Sequence, residues 1–446
     1  MTYIISYLIT LAIYLYTVYN ENMLKNPHLN SLLDAEVTRQ SEGLELIPSE
    51  NYVSKDVLSA LGSVFTNKYS EGYPGRRYYG GQENTDKVEI FAIESAKKLF
   101  GADHANVQPH SGAQANESVY HSWLNYGDKV LAMDLSHGGH LTHGHPVTVL
   151  AGQYQFIRYR LKDIETGEID YEQLASLAEE HKPKIIMAGY SSFPRELDYK
   201  KFVEIGNSVG ALLVADIAHI AGLIAGGVLA NPLTAGFHVM SSTTHKTLRG
   251  PRSGLILSRG VASNPLVKLD KTISNIPTLI DRTVFPGVQG GPHMNTILAK
   301  AVAFDEALQP EFKIYAQNVV VNAKKLAQEL MNRGYKLVTN GTDNHLLLID
   351  TVSSLGINGA EAEKALDIAG LTVNKNVIPD DPNPPFTPSG IRLGTPAITT
   401  RGMGPDQMVE IAEIIDLSLK NINNNDYLNS LKNRVKELAS YYPLPS

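Results

Sequence analysis

From Asp86 to Ser258 the chain alternates stretches of helical apolar spacing with short, almost wholly apolar runs, and no other feature limits the fold as tightly. Val88 to Phe100, stopped by Gly101, reads as an amphipathic helix, and Lys129 to Met133 as a buried strand. The pattern continues with helical Tyr171 to His181 before Lys184 to Gly189, then helical Tyr199 to Val209 before Ala211 to Ala215. His238 to Met240 and Gly254 to Ser258 follow as further strands. Strands separated by helices predict a mainly parallel sheet covered on both faces, and such sheets bind ligands beyond their carboxyl strand ends.

The texture changes near Ala299 to one long helical stretch through Gly334. Strands at Tyr335 to Thr339 and His345 to Asp350, a helix near Ala360 to Ala369 and a last helix after Pro405 then predict a separate α+β domain. Met23 to about Ser63 carries no strand pattern and is expected to wrap over the large domain or a neighbouring subunit. The division expected is an atypical extension over 1–22, an arm over 23–70, a large domain over 71–298 and a small domain over 299–446. Met1 to Asn20 has no charged side chain; it reads as a membrane anchor or, the reading favoured here, as sequence upstream of a start at Met23.

Composition narrows the chemistry. With 43% hydrophobic and 19% charged residues the chain is of globular type, and a net charge of −7 argues against a general nucleic-acid binder. Zero cysteines exclude disulfides, thiolate nucleophiles and cysteine-bound zinc. Covalent chemistry is left to Ser, Thr, Lys, Tyr, His or a carboxylate.

Ser241 to Gly254 follows an apolar strand and sets Lys246 among small hydroxyl residues, beside His245 and ahead of Gly250. A lysine desolvated there is suited to Schiff-base chemistry, whereas the same residue on an open loop would be solvated. A pyridoxal phosphate site would also need a carboxylate for the ring nitrogen and an anion cradle. Asp216, at the end of an apolar strand, could supply the first or simply cap a helix; His219 could reach the same site or be an interior histidine. Gln108 to Asn116 turns into a helix whose free amides could hold a phosphate, with Gln289-Gly-Gly291 completing the cradle, although a Ser-Gly helix start is usually only a cap.

Four histidines between Asp134 and His145 suggest zinc at first sight, but the double glycine favours a loop passing over a flat ligand with His140 stacked on it, and no metal is expected. Asn67 to Gly81 joins four tyrosines, two arginines and Glu71 in a loop suited to proton handling on a small polar substrate. Arg392, in a short strand between glycines, could grip a carboxylate or sit on an edge strand.

Leu46-Ile-Pro-Ser-Glu-Asn51, the Tyr69 to Gly81 loop, Pro109-His-Ser-Gly112, His137-Gly-Gly-His140, Asp216-Ile-Ala-His219, Thr243-Thr-His-Lys-Thr247 and Phe285 to Pro292 occur in order from Met23 onward. Together they closely resemble the serine hydroxymethyltransferase family. The resemblance implies an α/β fold-type I pyridoxal-phosphate enzyme, similar to aspartate aminotransferase, with a mainly parallel seven-stranded sheet and a smaller C-terminal α+β domain. It implies pyridoxal 5′-phosphate as cofactor and tetrahydrofolate as co-substrate, L-serine and glycine as substrates, a homodimer or tetramer with shared sites, and a cytoplasmic setting.

By that resemblance Lys246 would carry the cofactor, Asp216 would face the ring nitrogen and His140 would stack on the ring. Ser111, Gly112, His245 and, across the interface, Gly291 would line the phosphate; Ser191 and His219 would lie near the phenolic oxygen. Arg392 and Ser49 would hold the amino-acid carboxylate, and Glu71 and Tyr79 would cross the interface to handle protons. Tyr78, Leu135, Gly139, Leu141 and Asn376 would touch folate, and Arg252 would help position Tyr79 and the lysine loop. The family sometimes has Ser where Ala113 stands, so one phosphate hydroxyl is expected to be missing. A threonine aldolase or aminotransferase of the same fold is the nearest alternative, and a membrane-tethered binding protein is the alternative from another class.

Overall fold

The computed structural model describes residues 24–265 and 267–445; the apolar segment over 1–22 lies outside them. Seven strands form the main sheet: β1 His104–Asn106, β2 Lys129–Met133, β3 Gln155–Tyr159, β4 Ile185–Gly189, β5 Leu212–Asp216, β6 Val239–Thr243 and β7 Gly254–Ser258. Their order is β1-β7-β6-β5-β4-β2-β3. The pairs from β6 through β3 are parallel, and β7 runs antiparallel to both its neighbours. Strands β4 to β7 are buried along their whole length, as expected for a sheet covered on both faces.

The covering helices include α1 Glu83–Phe100, α2 Gly112–Trp123, α3 Tyr171–His181 and α4 Tyr199–Val209. Their buried positions recur at helical spacing, as in Thr85, Glu89, Ala92 and Ala96 of α1. Gly101 and Gly210 end α1 and α4 in the left-handed conformation that glycine adopts without a Cβ penalty.

The predicted continuous helix from Ala299 to Gly334 is two helices, α5 Met294–Ala307 and α6 Pro310–Asn332. Pro310 has no amide hydrogen and takes the first turn of α6, the one place in a helix where that loss is free. The last helix is likewise a pair, Pro405–Lys420 and Asn425–Tyr441. Beyond α6 a four-stranded antiparallel sheet forms from Lys336–Leu337, Leu346–Asp350, Asn374–Asn376 and Gly390–Gly394, backed by its own apolar core. The N-terminal arm does contain a strand, against expectation: Leu44–Glu45 pairs in parallel with Leu371–Thr372, a contact invisible to local pattern.

One close packing ties the fold to Lys246. Gly222 donates its amide to Thr247 Oγ1 at 2.9 Å, and that hydroxyl donates to the His219 carbonyl at 2.9 Å. A Cβ on Gly222 would collide with the Thr247 carbonyl. Gly222→Ala is therefore expected to cost about 1–3 kcal/mol by overpacking, read as a lowered denaturation midpoint with an unchanged slope.

Candidate active site

Beyond the carboxyl ends of β4, β5 and β6 lies a cavity of about 540 Å³ lined by residues of both sheets. Asp216 is the last residue of β5, and Lys246 follows β6 by three residues on a tight turn, both 8% exposed. The Lys246 carbonyl accepts from the Arg249 amide and from Asn51 Nδ2, the latter at 2.9 Å.

Asp216 is held on both oxygens. Oδ1 accepts from the Ala218 amide at 3.0 Å; Oδ2 accepts from Asn116 Nδ2 at 2.8 Å and lies 3.2 Å from His143 Nε2. His143 Nδ1 accepts the His140 amide, so its proton sits on Nε2 and faces the carboxylate. Burial opposes ionisation of Asp216, but its bond to His143, the nearby imidazoles and the Asn116 amide outweigh it and hold the carboxyl well below the usual range. The bond at Ala218 is local, so Asp216 closes a turn rather than capping a helix.

Burial acts oppositely on the basic groups. It pushes the Lys246 ammonium down to about 8 against the pull of Asp216, with Arg392 and Arg252 adding to the fall. It brings His140 to about 4 and His245 to about 3, and holds His219 well below its ordinary value, so these rings are neutral at pH 7.

Ser111 caps α2, its Oγ accepting from the Gln114 amide at 3.3 Å. The amides of Gly112 and Ala113, in the first turn of α2, have no intrahelical acceptor and point out of the helix start. Ser191 Oγ donates to the Gly139 carbonyl at 3.0 Å. Arg392, in Gly390–Gly394, donates to the Ser191 carbonyl and, at 3.1 Å, to Asn374 Oδ1. The arginine thus reaches from the small sheet into the mouth of the large one.

The cavity gathers most of the residues singled out from sequence: Ser49, Ser111, Gly112, Leu135, His140, Leu141, Ser191, Asp216, His219, His245, Lys246, Arg252, Asn376 and Arg392. Glu71, Tyr78, Tyr79, Gly139 and Gly291 are not in its wall. Tyr69 donates to Glu71 Oε1 at 3.2 Å, stacks edge-on with Tyr79 at 5.0 Å and covers Gly291, so this group forms a patch of its own. The double glycine has a packing cause within the protein: Gly138 presses on Phe193, and a Cβ on Gly139 would strike the Met133 carbonyl.

Two of the four loop histidines, His140 and His143, converge near Asp216. His137 faces Asp380, and donor atoms of His140, His143 and Asp216 lie within 4.8 Å of one another, with His143 and Asn116 already on the Asp216 oxygen. Sequence reading missed Asn116, His143, Thr243 and Tyr190. Asn116 was findable, since it lies one helical turn after Gly112 on α2. His345, 3.2 Å from His219, had no local signal.

The residues fit pyridoxal phosphate: a buried amine, a fixed carboxylate, helix-start amides and neutral imidazoles share one cavity. A site so composed, at the strand ends of a mainly parallel sheet with a small second domain, defines a pyridoxal-phosphate-dependent enzyme of fold type I. The chain belongs to the serine hydroxymethyltransferase family, whose family model matches residues 23–415. A serine hydroxymethyltransferase of Koribacter versatilis (strain Ellin345) is 51% identical over 420 residues, covering 94% of this chain and 95% of that relative. Among the described residues no helix is long and apolar enough to cross a membrane.

The depressed Lys246 ammonium gives a pH prediction. Its amine is free above about pH 8, not only above the ordinary lysine range. Reductive methylation of Lys246 in cofactor-free protein, followed by peptide mass spectrometry, is expected to rise through pH 8; a midpoint near that of surface lysines refutes the environment described.

Proposed function

We propose that the chain's own residues divide the serine hydroxymethyltransferase reaction among themselves in the cavity around Lys246. The reaction is the reversible conversion of L-serine and tetrahydrofolate to glycine and 5,10-methylenetetrahydrofolate, EC 2.1.2.1. Pyridoxal 5′-phosphate, when bound, supplies the electron sink that lets the serine Cα–Cβ bond break. The observation that carries the reading is Lys246 and Asp216 buried in one cavity with Arg392.

Lys246 is the amine that joins the cofactor, and its fall to about 8 leaves an appreciable neutral fraction at pH 7. Asp216, kept ionised, holds the proton on the ring nitrogen. Neutral His140 would lie against the ring without adding charge. Ser111, Gly112 and His245 would hold the phosphate, joined by Gly291 of a second copy, and Ser191 and His219 would serve the phenolic oxygen. Arg392 orients the amino-acid carboxylate through paired N–H donors, with Ser49 beside it. Leu135, Leu141 and Asn376 receive folate, with Tyr78 and Gly139 at the edge, and Arg252 positions Tyr79 and the lysine loop.

Glu71 and Tyr79 handle the proton at the hydroxymethyl group of a second copy's site, so the working unit is a homodimer. Their position outside their own cavity, beside Gly291, supports this assignment. The proposed compartment is the cytoplasm.

Lys246→Arg is expected to abolish turnover together with the cofactor's covalent absorbance band; an active variant weakened only in affinity refutes the role. Serine cleavage that does not depend on tetrahydrofolate would favour an aldolase of the same fold. Mixing Lys246→Arg with Glu71→Gln subunits is expected to regain up to about one quarter of wild-type activity, because half the dimers are mixed and each holds one intact site. No recovery in verified mixed dimers would place both residues in one chain's site.

A further inference from the structure

Helix α5 buries Met294, Ile297, Ala301 and Phe304 on one stripe, and Lys300 lies on the same stripe, 1% exposed. A cation where the pattern calls for an aliphatic residue is costly unless its donors are satisfied. Lys300 Nζ donates to the carbonyls of Val107 at 2.5 Å, Gly254 at 2.6 Å and Pro109 at 3.4 Å. No carboxylate is among these partners; burial pushes the ammonium down to about 7, with Glu89 acting at longer range to raise it.

These carbonyls belong to the two segments that build the phosphate end of the cavity. Val107 to His110 leads into the Ser111 cap, and Gly254 opens β7 beside Arg252 and Ser253. The Pro109 carbonyl also accepts from Ser253 Oγ at 2.9 Å and from the Gly254 amide at 3.0 Å. Gln289 closes the same segment from the other side, accepting the His110 amide at 2.9 Å and donating to the Gln108 carbonyl at 3.0 Å. The backbone is therefore committed up to the residue before the cap. Without the ammonium, the three carbonyl dipoles would converge with no cation between them, and only the Pro109 carbonyl would keep the donors just named.

We propose that Lys300 is a positioning residue for the cofactor phosphate, gathering the Val107, Pro109 and Gly254 carbonyls so that the Ser111–Gly112 helix start keeps its aim. The proposal rests on the pyridoxal phosphate reading above. It assigns Lys300 no contact with substrate or cofactor; its effect passes through the backbone it holds.

The test compares two ligands that differ only at the phosphate. Full-length protein is titrated with pyridoxal 5′-phosphate and with pyridoxal, following absorbance, in wild type, Lys300→Met and Ser253→Ala. Lys300→Met keeps the volume and removes the donor; Ser253→Ala removes only one hydroxyl bond to the shared Pro109 carbonyl. Lys300→Met is expected to lose about tenfold or more in affinity for the phosphorylated ligand and less than about twofold for pyridoxal, with Ser253→Ala moving the same ratio by about threefold. Equal loss for both ligands, or loss of thermal stability alone, overturns the proposal. If Lys300→Met does not fold, an unchanged ratio in Ser253→Ala overturns it. Wild-type protein that binds neither ligand would instead sink the cofactor reading itself, a distinguishable outcome.

Discussion

The charge on Asp216 organises this molecule. A carboxylate buried at the end of a central strand costs several kcal/mol of desolvation, and each charge-assisted hydrogen bond returns about 1.5–3 kcal/mol. The Ala218 amide, Asn116 and His143 together offset that cost to a similar size, so the network places groups more than it stabilises the fold. Asn116 Oδ1 accepts from Ser241 Oγ, and Asn116 Nδ2 also donates to Thr142 Oγ1, which in turn lies 2.7 Å from His140 Nδ1. Strands β5 and β6, helix α2 and the histidine loop are thus fixed relative to one another through a single ionised oxygen.

The same burial that would neutralise Asp216 keeps His140, His219 and His245 uncharged, because desolvation penalises whichever form carries charge. Charge in the cavity is left to Lys246, Arg252 and Arg392 on one side and Asp216 and Glu50 on the other. The excess is positive, in a chain whose net charge is −7. A phosphate and an amino-acid carboxylate would restore the balance, and the two cationic ends are supplied by different sheets. Arg392 comes from the small antiparallel sheet, and its bond to the Ser191 carbonyl joins that sheet to the strand ends of the large one.

Much of this was legible in local pattern. Lys129 to Met133 and Gly254 to Ser258 form strands with the expected bounds, and Tyr171–His181 and Tyr199–Val209 are helices as their spacing predicts. Such segments announce themselves because burial on a helix stripe or inside a covered sheet imposes a period on the sequence. What stayed hidden depends on partners distant in the chain. Glu45 looked like an arm residue because its strand partner is Thr372; His143 looked like one of several loop histidines because its carboxylate is Asp216. Lys300 broke the apolar period of its helix, which was a readable signal, but its purpose lies in carbonyls of two other segments.

The patch around Glu71 follows from the same physics seen from outside. Tyr69, Tyr78 and Tyr79 are each about half exposed, which a lone chain gains nothing from, since aromatic rings are large apolar surfaces best kept from water. Behind them the loop is rigid: Arg77 is paired with Asp86 at 2.9 Å and Glu89 at 2.6 Å, almost out of solvent, and donates to the Ser70 and Gly72 carbonyls as well. A buried arginine paired with two carboxylates is an expensive way to shape a loop that does nothing but meet solvent. These bonds hold Glu71 and its tyrosines in a fixed pose outside the wall of their own cavity, which is the arrangement that the proposed role in a second copy's site requires.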